Sequence, residues 1–190
     1  MIPGNFISLT LDPKPFKSPE SRPYDPISQL IRGGTRIGYG NDGRDVKDYL
    51  VELFTDGLIN ITDTTSNQIV YTKTLVNAET ISATFDNNMN VVLCYQLLDT
   101  SNLHYFDLES NKYITKVVNN TTSCKVCIDD IRLINNANSD IIIGYTRDDN
   151  LYYRQQRDKY DIERLVGPCQ GKRLLRLGQT ENNRLQFELQ

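Results

Sequence analysis

The sequence predicts an all-β protein made of antiparallel four-stranded repeat units. The units are expected to be β-propeller-like, either incomplete or closed by an N-terminal strand, with an extended N-terminal arm ahead of them. Three observations predict this. First, three stretches align with one another: Tyr49–Val76 (YLVELFTDGLINITDTTSNQIVYTKTLV), Val91–Val118 (VVLCYQLLDTSNLHYFDLESNKYITKVV) and Ile141–Val166 (IIIGYTRDDNLYYRQQRDKYDIERLV). Each opens on an apolar strand, turns through polar residues, resumes at Leu58, Leu103 or Leu151, and closes at Val76, Val118 or Val166. The step is 45 residues from Leu58 to Leu103 and 48 from Leu103 to Leu151, within the ~40–50-residue period of four-stranded blades. Second, eleven Tyr, six Phe and abundant Ile, Val and Thr suit pleated surfaces, while Asn collects in turns. Third, no window of about 12 residues sustains a helical period.

The elements follow in order. Residues 1–32 form the expected arm and residues 33–190 the β-repeat domain. Met1–Pro26 holds six of the seven prolines, and proline fixes φ and gives no ladder hydrogen bond, so Pro13–Pro26 reads as extended chain without its own core. Phe6–Leu11 alternates and suits a strand added to a sheet. A loose terminus is the plain reading. An arm docked on a neighbour is the sharper one, because Phe6, Ile7, Leu9, Leu11 and Phe16 are too apolar for a solvated tail. Gly33–Gly34 opens the domain, with Thr35–Tyr39 as its first strand. Arg44–Leu53 carries Val46, Tyr49, Leu50 and Leu53 at helical spacing, yet YLVELF aligns with the opening strands of the other repeats. Thr80–Val118 and Ser123–Val166 each read as strand, hairpin and meander, with strands at Leu151–Gln155 and Tyr160–Val166 in the second. Arg173–Leu177 and Arg184–Leu189 supply only two strands of a further unit, for which Phe6–Leu11 is a candidate closing strand. Open arrays leave edges that pair with neighbours, so a homo-oligomer is expected.

Bulk properties exclude several function classes. A net charge of −3 and a pI near 5.2 provide no global basic field, so neither nucleic acid nor a membrane is an expected partner. The longest apolar runs are strand-sized, far short of the ~20 residues of a spanning helix. The opening residues lack a secretory leader's pattern, and the four cysteines are expected to be reduced thiols. Without a secretory route the sequons at Asn60, Asn119 and Asn120 carry no meaning.

No catalytic, cofactor-binding or metal residue is assigned, and the chain is not expected to be an enzyme. His104 is the only histidine, and alignment with Tyr152 makes it a packing residue rather than part of a nucleophile system. Cys124 and Cys127 have C-x-x-C spacing, but they fall in a predicted strand, where residues three apart face opposite sides, and no second pair completes a zinc set. Asp129–Asp130 and Asp148–Asp149 stand where turns are needed and read as solvated turn acids. The most distinctive surface runs from Tyr152 to Tyr160, where Tyr, Arg and Gln alternate. Tyr152, Arg154 and Gln156 suit a protein interface, since Tyr and Arg are enriched there. A sugar-binding face and a merely solvated one are the alternatives.

At Asp140–Val166 (DIIIGYTRDDNLYYRQQRDKYDIERLV), and again at the terminal NNRLQFELQ, the chain resembles tail-associated structural proteins of tailed-bacteriophage virions. The likeness covers the last third firmly and the repeat region loosely. It implies a tail, collar or baseplate-type assembly protein, partnered by other virion tail proteins, without a cofactor, and located in a virion assembled in the bacterial cytoplasm. The competing expectation is a carbohydrate-binding β module for host recognition.

Overall fold

The computed structural model describes residues 27–36, 44–86, 88–129, 140–179 and 185–190. The expected arm residues Phe6, Ile7, Leu9, Leu11 and Phe16 lie outside these ranges, as do Asp130 and the candidate closing strand Phe6–Leu11. Unit 1 contains β1 (Ile27–Arg36), β2 (Arg44–Leu53), β3 (Leu58–Asp63) and β4 (Gln68–Thr74). Unit 2 contains β5 (Thr80–Phe85), β6 (Val91–Leu97), β7 (Thr100–Asp107) and β8 (Lys112–Asn119). Unit 3 contains β9 (Ser123–Asp129), β10 (Asp140–Arg147), β11 (Asn150–Gln155) and β12 (Arg164–Pro168). β13 (Leu174–Gln179) and β14 (Leu185–Leu189) pair as a two-stranded sheet. Each four-stranded sheet is an antiparallel meander in chain order. The all-β fold of four-stranded antiparallel units is the observed one, and among the described residues the propeller-like array is not closed.

Local chemistry sets the hairpins. The β2–β3 turn ends at Gly57 with φ 81°, where a Cβ would lie 2.5 Å from the Leu75 carbonyl oxygen. Only glycine fits there. The β10–β11 turn uses Asp148 and Asp149, both left-handed at φ 49° and 59°, as a tight hairpin requires.

The units stack face to face. Tyr49, Val51, Ile59 and Ile61 of unit 1 pack on Ile81, Phe85, Leu93 and Tyr95 of unit 2. Val92, Cys94, Leu103 and Tyr105 on the other face of unit 2 pack on Val126, Ile141, Ile143 and Tyr145 of unit 3. Cys127 and Ile142 then meet Leu177 and Phe187 of the terminal hairpin. β6 and β10 are covered on both faces, which is why VVLCYQ and DIIIGYT are buried throughout rather than alternating. The first strands of successive sheets are also stapled by side chains. Gln29 Oε1 accepts from Ala83 N at 3.1 Å, Ser82 Oγ from Val126 N at 3.1 Å, and Ser123 Oγ from Leu174 N at 2.8 Å.

Several sequence expectations need correction. Arg44–Leu53 is not among them: it is the strand that its alignment with the other repeats predicts, with ladder partners on both sides. The first described strand, Ile27–Arg36, starts ahead of the expected Thr35 and contains residue 32, the expected domain boundary; residues 37–39 of the expected Thr35–Tyr39 strand lie outside the described residues. Tyr160–Val166 is not one strand. A 3-10 turn at Gln156–Asp158 and left-handed Lys159 and Tyr160 delay β12 until Arg164.

The repeat register also shifts. Leu97 pairs with Thr100, and Arg147 with Asn150, beside two-residue turns, so Leu103 corresponds to Tyr153 and not to Leu151. Leu58 begins β3 on the face opposite to buried Ile59 and Ile61, because one residue of slip reverses a strand's faces. Val118 is buried, but Val76 and Val166 are 66% and 45% exposed. Closing valines therefore do not form a common core layer.

Candidate functional site

Tyr152 and Arg154 do converge, but on the seam between units 2 and 3 rather than on an open surface. Both project from β11 on the face that packs against unit 2, beside Tyr145 of β10. The Arg154 guanidinium is fully engaged. Its Nε donates to Tyr145 Oη at 2.8 Å, Nη1 to the Tyr160 carbonyl at 3.0 Å, and Nη2 to Glu163 Oε2 at 3.2 Å. Glu163 also accepts from the Tyr145 hydroxyl and from Arg147. Arg147 lies over the Tyr152 ring at 4.9 Å, and Tyr152 stacks on Tyr145 with centroids 6.0 Å apart. Burial opposes ionisation of Glu163, but hydrogen bonds from Tyr145, Arg154 and Arg147 outweigh it and hold the carboxyl below its ordinary value. Burial, and then the bond to Glu163, push the Tyr145 phenol well up, so it stays a proton donor. Gln156 stands apart from this group, on the 3-10 turn that follows β11.

The corrected register reveals a second version of the same cross-strand row. Tyr145 corresponds to Tyr95, Arg154 to His104, and Glu163 to Thr115, which faces His104 across β7 and β8. His104 Nδ1 is 2.9 Å from Thr115 Oγ1, and Thr115 also lies close enough to Tyr95 to act on its phenol. His104 stacks on Tyr113 at 5.0 Å with planes 11° apart. Its pKa is lowered to about 4, by burial first and by the charge of Lys73 second. His104 is thus equivalent to Arg154 and not, as expected, to Tyr152, and it stands in a polar row that sequence reasoning missed. The signal was available as a nine-residue step: Tyr95 to His104, Tyr145 to Arg154, and Arg154 to Glu163.

Other candidates resolve simply. Cys94, Cys124, Cys127 and Cys169 are all buried. Asp148 and Asp149 form a hairpin turn. Among the described residues, no group of three or more His, Cys, Asp and Glu is arranged to hold a metal ion, and no helix is long and apolar enough to cross a membrane.

The accessible apolar surface lies elsewhere. β4, β8 and β12 are the last strands of their sheets. Each presents large apolar side chains to solvent: Ile69 and Val70 on β4, Tyr113 and Val117 on β8, Leu165 and Val166 on β12. Leu98, at the β6–β7 hairpin tip, is 78% exposed and left-handed at φ 52°. Its turn is held from beneath by buried Gln96, whose Nε2 donates to the Leu98 carbonyl at 2.8 Å and the Thr121 carbonyl at 2.7 Å. No protein-family model and no curated protein matches this chain.

Proposed function

We propose that this protein is a structural component of a tailed-phage virion, of the tail, collar or baseplate type, that works by protein–protein contact and not by catalysis. The observation that carries the reading is the rim of three sheet-terminal strands, β4, β8 and β12, each with apolar side chains in solvent. A terminal strand offers unpaired backbone groups, and exposed Ile, Val and Leu beside them add apolar area, which is the chemistry of strand addition by a partner. The likeness of Asp140–Val166 and NNRLQFELQ to tail-associated proteins supports the same reading and suggests other virion tail proteins and further copies of this chain as the partners. Assembly would then take place in a bacterial cytoplasm.

The test compares sedimentation of the full chain with that of a Val70→Lys/Leu165→Lys double variant and a truncation lacking residues 1–25. The reading requires a stable oligomer from the full chain and a loss of assembly in at least one of the altered chains, with the β circular dichroism signal retained. A full chain that is monomeric at every concentration, and that binds defined glycans on an array through a site abolished by Tyr152→Ala, would replace it with the carbohydrate-binding module.

A further inference from the structure

The seam between units 2 and 3 contains two thiols brought together from different sheets. Ser82 stands opposite Cys94 in the β5–β6 ladder, so both side chains leave the sheet on one face. Ser82 Oγ accepts from Val126 N at 3.1 Å, which fixes where that face meets β9. Cys124 lies two residues before Val126, on the same face of β9, and Cys94, Cys124 and Val126 share one buried cluster. Within that cluster Cys124 is close enough to act on the Cys94 thiol. The other two cysteines belong to different clusters, Cys127 with Ile142 and Leu177, and Cys169 with Leu151 and Leu174.

We propose that Cys94 and Cys124 are a covalent modification site: under a peroxide oxidant they form a disulfide that locks unit 2 to unit 3. The thiolate of one cysteine attacks hydrogen peroxide. An S–O bond forms, the O–O bond breaks and hydroxide leaves, giving a sulfenic acid. The second thiolate attacks that sulfur, forming S–S and breaking S–O with loss of a second hydroxide. The two thiols give up two electrons and two protons, and the peroxide becomes two waters. Burial, followed by contact with Cys124, pushes the Cys94 thiol well above its ordinary value. The closed seam therefore keeps Cys94 as a thiol, and oxidation proceeds through transient opening. The bond encloses β7 and β8 in a covalent loop, restricting the unfolded chain. A chain assembled in a reducing compartment would harden at this seam on reaching an oxidising one. This inference does not depend on the virion reading.

The test treats the purified, reduced full chain with hydrogen peroxide, blocks residual thiols by alkylation, and maps tryptic peptides without reduction. Each cysteine falls in its own peptide: 74–112, 117–125, 126–132 and 165–172. The expected product joins 74–112 to 117–125, retains the β circular dichroism spectrum, and melts about 5–10 °C higher. Dithiothreitol should reverse the shift. Cys94→Ser and Cys124→Ser should each abolish it, whereas Cys127→Ser should keep it. The mapping of the unaltered chain decides the matter even where a serine variant folds poorly. The proposal is overturned if peptide 74–112 remains a free thiol, ends as a sulfonic acid, or joins 126–132 or 165–172.

Discussion

Replacing His104 by glutamine isolates a pH response that belongs to one side chain. The imidazole is buried, stacked on Tyr113, in hydrogen-bond contact with Thr115, and close enough to Lys73 to feel its charge. Its pKa falls from 6.5 to about 4, from burial and then Lys73. The unfolded chain therefore binds a proton below about 6.5 that the folded chain refuses until about 4. Stability from the neutral ring is complete above 6.5 and is lost as the pH falls through that interval. At about 1.4 kcal/mol per pKa unit the full interval sets a ceiling of roughly 3 kcal/mol. Tyr113 leaves the pocket open to water on one side, and screening reduces the expected value to about 1–2 kcal/mol. His104 is the only histidine. The carboxyls held low in the folded protein, Asp63, Asp107, Asp161 and Glu163, lose their contributions only below their unfolded values near 4. Urea unfolding at pH 7.5, 6.5, 5.75 and 5.0 should therefore show a decline in the native chain and a flat line in His104→Gln. Equal slopes in the two proteins would refute the reasoning, since burial would then not be charging His104 for its proton.

Three further outcomes follow from the packing. Leu103→Ala removes a fully buried side chain from the seam of units 2 and 3 and should cost about 2–5 kcal/mol in denaturant unfolding, whereas Val166→Ala, at an exposed position, should stay within about 0.5 kcal/mol. Leu98→Asn should raise the Tm, gaining up to about 1 kcal/mol, because asparagine tolerates the left-handed backbone that leucine resists; an unchanged or lower Tm would show that the turn carries no strain. Glu163→Gln removes the carboxylate that pairs with both Arg147 and Arg154 and should lower unfolding stability by about 1.5–3 kcal/mol at pH 7, with the difference from the native chain shrinking as the pH falls below 4.

The sequence by itself determined that the chain is β, that it folds in four-stranded units, and where most hairpins lie. Alternation along LHYFDL, the Asp148–Asp149 pair and Gly57 are local signals, and local sterics act within a few residues. The tertiary structure decided which face of each strand is inside. Leu58 and Val166 are as apolar as Ile59 and Val118, yet Leu58 stands on the opposite face of β3 from Ile59, and Val166 on β12 is exposed where Val118 on β8 is buried. It also decided that Arg154 meets Glu163 across a ladder, that His104 stands in the corresponding row with Thr115, and that Cys94 meets Cys124 from another sheet. Such pairings depend on how two sheets stack and in what register. Side-chain periodicity within one strand contains no record of its neighbour's offset, so contacts between units emerge only when the faces pack.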